Sequence, residues 1–396
     1  MPDLRPFRGL RYDSATVGDL SALICPPYDV ISVAERAQLA WRHPANAVHV
    51  ELPASYEDAA ARFARWQADG TLRRDAQPLI YVYEQRYELA DAQPRRARGF
   101  LCRLRLEPTS GAGGVRAHEH TMAGPKQDRF QLLRAVRANL SPVVLLFEAP
   151  GAPSVDSLLD ELTAGAPAVD ASDDAGTSHR LWLADPASTP AAELLISVAA
   201  AGPLTIADGH HRYQTALRYC AEVGGDGSDK VLALLFEATT GGLSVLATHR
   251  LIKAPGVDIA ARAASAFDAE RVQRDRVVPA ASGEIGVLAA GISARLRSPR
   301  ALPDALDVSV LDGAYPALLG ATEPELTAQG RISYTQDASA ALAAVDSGQA
   351  DAAFLLAPTP VAAVLAAAAA GEVMPPKSTF FYPKAATGLV FSSLAP

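Results

Sequence analysis

The sequence has 396 residues, room for two or three domains, and its 49% apolar and 20% charged content is that of a globular protein with a sizeable core. A formal net charge of −8 argues against a general nucleic-acid surface or an anionic-membrane surface. Cys25, Cys102 and Cys220 are far apart and form no CxxC pair, so neither a disulfide framework nor a thiolate zinc site is indicated.

Met1-Pro2-Asp3-Leu4-Arg5-Pro6 carries no hydrophobic leader, and the apolar stretch 361–370 falls short of the roughly 20 residues that cross a bilayer. That stretch reads as a buried helix. The expectation is a protein of the reducing cytoplasm, with small-molecule partners and neither nucleic acid nor membrane.

In chain order, Pro26-Pro27-Tyr28-Asp29 must run extended or turn, because each proline fixes its own φ and restricts the residue before it. A helix follows, with Ser32 and Glu35 spaced as a capping box. The runs 79–89 and 99–106, joined by a polar turn, predict a hairpin. The spacing of Phe130, Leu133, Val136 and Leu140 predicts an amphipathic helix over 126–140, N-capped by Asp128 with Gln131 completing the box. Residues 143–147 read as a short buried strand. The Ala-, Gly-, Pro-, Ser- and Asp-rich segment that follows reads as a surface insertion or junction with one helix over 155–162.

Strands are expected at 181–183 and 204–207. The apolar runs 231–237 and 243–249 flank Thr239-Thr240-Gly241-Gly242 as a second hairpin would. A helix over 258–269 precedes a poorly patterned stretch reaching 303. The last hundred residues alternate: strand 332–334, helix 338–347, strand 352–356, helix 359–370, then the proline-rich 374–384. The expected organisation is an N-terminal α/β part (1–150), the insertion (151–178) and a C-terminal α/β part (179–396), in a mixed α+β fold.

Three segments carry chemistry. In the first, the apolar run 204–207 breaks at Asp208-Gly209 and enters a helix whose Tyr213, Ala216, Leu217 and Cys220 share one face. A strand–turn–helix junction leaves backbone N–H groups unpaired where the helix dipole favours an anion. Gly209 allows close approach, and His210, His211 and Arg212 supply groups for phosphate contact and proton transfer. Asp208 is a candidate Mg²⁺ ligand or base; the bland alternative makes it the helix cap. The second segment is His118-Glu119-His120-Thr121 with Lys126 and Arg129. It is not HExxH, because its histidines are two apart. Glu119 is a candidate second carboxylate for Mg²⁺ or base work, Lys126 and Arg129 candidate anion contacts, and zinc held by the histidines the alternative. The third is Met374-Pro375-Pro376-Lys377-Ser378-Thr379, where Lys377, Ser378 and Thr379 offer a cation and two hydroxyls without a P-loop. A strand that covers the core accounts for it as well, and Thr248-His249-Arg250 could face the same cleft.

Arg5-Pro6-Phe7-Arg8, Pro26-Pro27-Tyr28-Asp29, the His-Glu-His-Thr segment with Asn139-Leu140-Ser141-Pro142, Asp208-Gly209-His210-His211-Arg212-Tyr213 and Met374-Pro375-Pro376-Lys377-Ser378-Thr379 occur in that order. Together they resemble the protein family of unknown function numbered 1015. The Asp-Gly-His-His-Arg element alone is similar to the strand–turn–helix of the ParB/sulfiredoxin-like superfamily, which includes free-serine kinases. That resemblance implies a nucleotide, ATP or ADP, with its phosphates on the turn, and an Asp, matched by Asp208, acting with a Glu on Mg²⁺ and the substrate hydroxyl. The resulting expectation is a Mg²⁺-dependent phosphotransferase between a nucleotide and a small hydroxylated metabolite such as serine. A non-catalytic nucleotide-binding regulator and a metal-dependent phosphohydrolase are the alternatives.

Overall fold

A computed structural model describes residues 1–109, 114–119, 123–151, 154–299, 305–372 and 374–395. They form two compact units, one of residues 1–243 with 383–396, the other of residues 244–382. Among the described residues no helix is long and apolar enough to cross a membrane.

The first unit is built on a large mixed sheet. Its strands are Leu4–Arg5 (β1), Ile80–Glu88 (β2), Pro94–Arg105 (β3), Val115–Arg116 (β4) and Val143–Phe147 (β5). Val169–Ser172 (β6), Ser178–Ala184 (β7), Leu204–Asp208 (β8) and Lys230–Glu237 (β9) complete it. The order is β4-β8-β5-β9-β3-β2-β7-β6, with β1 also pairing β3. β5 and β9 are parallel partners and almost wholly buried, which is why both read as continuous apolar runs rather than alternating ones. The expected β2–β3 hairpin is present, in register from Tyr81 opposite Leu101 to Glu88 opposite Pro94.

The helices of this unit used below are Val33–Arg42 (α1), Val48–Glu51 (α2), Tyr56–Ala68 (α3), Ala123–Val136 (α4), Val155–Leu162 (α5), Pro190–Ala199 (α6) and His210–Glu222 (α7). α1 starts with the expected capping box: Ser32 N donates to Glu35 Oε2 at 2.7 Å, and Glu35 N to Ser32 Oγ at 3.3 Å. Phe100, Phe147, Leu195, Tyr213 and Leu235 share one core with α5 and α6. Each large side chain buried there contributes roughly 1.5–3 kcal/mol.

Several expectations are corrected. α4 begins at Ala123, so Asp128 is an interior residue and not a cap; its carboxylate accepts from Tyr56 Oη at 2.9 Å and from Arg129. The helix stops at Val136 because Arg137 adopts a left-handed φ of 55°, after which Ala138–Asn139 pairs with Ser392–Ser393. The segment 151–178 is not a surface insertion: α5 places Val155, Leu158 and Leu159 in the core, and β6 pairs with β7. The sheet runs through both expected boundaries, at 150 and 178, and the compact units part at 243 instead. At 239–240 the chain does turn, because Glu237 Oε2 accepts from the backbone N of Thr239 and Thr240 at 2.7 and 2.6 Å. The strand that follows, Ser244–Leu246, pairs with Phe380–Tyr382 within the second unit, so 231–249 is not a hairpin.

The second unit holds an antiparallel sheet of His249–Ile252 (β10), Asp268–Arg271 (β11), Ile285–Ala289 (β12), Ile292–Arg297 (β13), Ile332–Thr335 (β14) and Ala352–Leu355 (β15), in the order β11-β13-β12-β15-β10-β14. Ile259–Ala266 (α8), with Asp258 as its cap, and Asp307–Leu319 (α9) bury Ile259, Leu311 and Tyr315 against Phe354. The unpatterned stretch before 303 conceals the β12–β13 hairpin. Its turn is Ala290-Gly291, with Gly291 at φ 76°, and β12 is buried throughout, which removes the alternation that would have announced it.

Candidate functional site at the β8–α7 turn

β8 ends on Asp208, Gly209 turns the chain at φ 90°, and α7 begins at His210. That φ belongs to the left-handed region, which favours glycine, and a Cβ at Gly209 would lie 3.0 Å from Arg212 Nε, so the guanidinium would have to shift slightly. Gly209, the N-cap of α7, makes no side-chain cap bond. The N-terminal dipole of α7 therefore faces the turn that carries Asp208.

Asp208 does not cap the helix. Arg212, one helical turn on, donates to Asp208 Oδ2 at 2.5 Å, and Lys384 Nζ donates to Oδ1 at 2.8 Å. Arg212 also donates to the carbonyl of Pro142. Burial works to raise the Asp208 carboxyl, but Lys384 and Arg212 outweigh it and hold it well below the ordinary carboxylate range. Burial opposes the Arg212 charge in turn, and Asp208, then Asp29, Tyr28 and Glu51, sustain it. Tyr28 and Asp29 of the Pro-Pro-Tyr-Asp segment thus act on the guanidinium. Burial and Asp29 push the Tyr28 phenol up to about 12, with Arg212 and Arg129 pulling the other way.

The second segment meets the first at its histidines. β4 runs parallel to the start of β8, which delivers His118 to His210; their rings meet edge to face at 4.7 Å and 83°. Burial lowers both, His118 to about 4 and His210 well below 6.5, so both imidazoles are neutral at pH 7. His210 is 7% exposed, and its Nε2 has no hydrogen-bond partner among the described residues. Glu119 follows His118, and His211 follows His210; both are half-buried. His120 and Thr121 lie outside the described residues.

Other expected contacts are drawn elsewhere. The Arg129 guanidinium bonds Asp128 at 2.6 and 2.8 Å and the Glu51 carbonyl at 2.8 Å, and sits over the Tyr28 ring at 4.3 Å. It ties α4 to α2. Lys126 lies half-buried on α4 and makes no ion pair among the described residues. Lys377, Ser378 and Thr379 belong to the second unit. There the Lys377 carbonyl accepts from Arg250 Nη2 at 3.1 Å, and the buried Ser378 hydroxyl donates to the Pro375 carbonyl, which removes it as a phosphate contact.

Lys384 is a member of this cluster that the sequence did not single out. It lies in the same proline-rich segment as Lys377, but the chain re-enters the first unit at Pro383, and only the fold distinguishes the two lysines. Glu51, 2% exposed, is a second. It accepts from Ser141 Oγ at 2.9 Å and lines a cavity of about 50 Å³ with Arg212, Ser141 and Thr215.

Each Asp208 oxygen already accepts from a cation, so Mg²⁺ there would compete with Arg212 and Lys384. Among the described residues no group of three or more His, Cys, Asp or Glu is arranged to hold a metal ion.

A family model described as "Protein of unknown function (DUF1015)" matches residues 4–313. No curated protein matches the chain. Among solved structures the chain is similar to a free serine kinase in complex with AMP, at 14% identity and TM-score 0.40, covering 68% of this chain and 83% of that one. It is also similar to a conserved hypothetical protein from Pyrococcus furiosus (14%, TM-score 0.39, 68% and 87%). A third is SbnI with C-terminal truncation from Staphylococcus aureus (13%, TM-score 0.41, 71% and 85%). At these values the likeness assigns neither a site nor an activity.

Proposed function

Since the chain belongs to DUF1015, a family of unknown function, we propose from the β8–α7 turn itself that it is a phosphotransferase, binding a nucleotide there and passing a phosphoryl group to a small hydroxylated metabolite. The observation that carries this reading is the convergence of three anion-binding elements on one turn. They are the start of α7, the Arg212 guanidinium and the Lys384 ammonium, the last two held side by side by Asp208. Phosphoryl transfer depends chiefly on positioning and on neutralising the charge of the transferred group, which two cations and a helix start supply without a covalent nucleophile.

Asp208 is assigned to orienting the cations. A carboxylate held so far below its usual range is a poor proton acceptor at neutral pH. His210, whose Nε2 has no hydrogen-bond partner among the described residues, is assigned to contact the acceptor hydroxyl at the start of α7. Glu119 and His211, which follow His118 and His210 in the chain, are further candidate polar groups. ATP or ADP is the donor to test and serine the first acceptor. Mg²⁺ is given no step, because Asp208 presents no oxygen that a cation does not already share.

The test is ³¹P NMR of the protein with ATP or ADP and a panel of small alcohols including serine, with and without Mg²⁺. The reading requires a phosphorylated acceptor with the native chain and none with Arg212→Ala. The clamped Asp208 also suits a regulator that binds nucleotide without chemistry. That alternative gains if nucleotide at 100 times its Kd adds about 2.7 kcal/mol of stability while no product forms over hours. An absence of stabilisation by every phosphate compound would set both readings aside.

A further inference from the structure

Among the groups that hold the segment from which Lys384 reaches Asp208 is a chain of buried polar side chains. On β2, Gln85 Nε2 donates to the Lys384 carbonyl at 2.9 Å. Two residues earlier on the same face, Tyr83 Oη accepts from Ala386 N at 3.3 Å. Tyr83 in turn lies 2.7 Å from His179 Nδ1 on β7, and His179 Nε2 lies 3.2 Å from Asp173 Oδ2. Tyr83 and His179 are each 1% exposed, and their rings stack at 6.0 Å and 13°.

The direction of this chain follows from its ends. Asp173 accepts from Thr177 N at 2.8 Å and Ala175 N at 3.0 Å, and these bonds fix its carboxylate in the turn between β6 and β7. Against burial, the His179 hydrogen bond keeps that carboxyl lowered, so it accepts Nε2–H. Nδ1 is then the acceptor for the Tyr83 hydroxyl, and burial keeps the phenol protonated. Each donor–acceptor pair polarises the next, which makes such a buried chain more rigid than its separate bonds. A tyrosine alone could rotate its hydroxyl; one locked by a histidine that is itself locked by an aspartate cannot.

We propose that Asp173, His179 and Tyr83, with Gln85, are positioning residues for the anion clamp: they fix the backbone on both sides of Ala385 so that Lys384 stands on Asp208. The inference rests on the phosphate reading of the turn for its functional consequence, but not for the placement of Lys384. The positioning side chains lie on β2, on β7 and in the turn before β7, and the backbone they hold lies in the C-terminal segment.

Two measurements separate the two layers. The first needs no ligand: trace acetylation of the native protein with acetic anhydride, followed by mass spectrometry of the Lys384 peptide, with Lys253 as internal reference. Tyr83→Phe removes only the hydroxyl, and Gln85→Met replaces the second tether with an apolar chain of similar length. Both are expected to raise Lys384 acetylation severalfold relative to Lys253, and His179→Gln to raise it likewise. Unchanged Lys384 reactivity in Tyr83→Phe and Gln85→Met would overturn the proposal, whatever ligands the protein binds. The second measurement is calorimetric titration with ADP and with inorganic pyrophosphate. Tyr83→Phe is expected to weaken binding about fivefold, the worth of one net hydrogen bond. In a Lys384→Ala background the same change is expected to have no further effect on affinity. An equal loss in both backgrounds would mean a general structural role and would reject the relay. If neither compound binds the native protein, the phosphate reading fails, and the acetylation result alone decides the placement.

Discussion

Replacing Lys384 with methionine keeps the length of the side chain and removes its charge. In the native protein the ammonium stands 2.8 Å from Asp208 Oδ1, and the two side chains are 13% and 16% exposed. At an effective dielectric of about 20, two unit charges at that distance attract by about 6 kcal/mol. Desolvation of the ammonium offsets part of this, and Arg212 still pairs with Asp208 in the variant. The net loss is therefore set at about 3 kcal/mol, the low end for removing one partner of a buried pair. For a domain of this size that lowers the unfolding midpoint by roughly 6 °C or more. The pH dependence has a definite sign. Asp208 is depressed in the folded state, so its contribution is present above its unfolded value of about 3.9 and is lost only as pH falls through its lower native value. The gap between native protein and variant should hold constant from pH 8 to about pH 5 and narrow only in strong acid. Urea titrations at pH 8, 7, 5 and 3.5 measure it. A double variant with Asp208→Asn should lose further stability, since the buried Arg212 guanidinium is then left without its carboxylate. A Lys384→Met protein as stable as the native one at pH 7 would refute the clamp as described.

Three further outcomes follow from the same geometry. Gly209→Ala puts a Cβ into a left-handed turn and against Arg212; a stability loss of about 1–2 kcal/mol and weaker ADP binding are expected, and calorimetry at unchanged affinity would contradict the close approach. His118 is buried neutral with its value lowered to about 4, so its contribution is complete above the unfolded value of about 6.5 and declines as pH falls toward 4. Between pH 7 and pH 5 this amounts to about 2 kcal/mol, and His118→Phe should flatten that part of the stability profile, as read by denaturant titration. Arg129→Gln breaks the ties to Asp128 and the Glu51 carbonyl; it should cost about 1.5–3 kcal/mol in thermal or urea unfolding while leaving pyrophosphate affinity as it was.

The strand–turn–helix at Asp208 was legible because its signals are local. An apolar run, an Asp-Gly break and an i, i+3, i+4, i+7 face all lie within seventeen residues, and the Asp208–Arg212 pair is itself an i, i+4 contact. The capping box at Ser32 and the β2–β3 hairpin were legible for the same reason. Lys384 was not, because its partner lies 176 residues away and its neighbour Lys377 offers the same chemistry in the other unit. Arg129 and Ser378 looked like anion contacts because their types suit one; which partner takes an arginine or a hydroxyl is settled by tertiary packing, here the Glu51 and Pro375 carbonyls. The β12–β13 hairpin was hidden by burial, since a strand covered on both faces loses the period-two pattern. Glu51 was missed because a short helix ending in a buried carboxylate has no periodic signature.

The most direct test of the central claim is a ¹⁵N TROSY titration of the full chain with pyrophosphate. If the β8–α7 turn is the anion site, the amides of Gly209, His210, His211 and Arg212 shift first and furthest, and the response disappears in Arg212→Ala. Saturable shifts centred on any other segment, with residues 209–212 unmoved, would contradict the account.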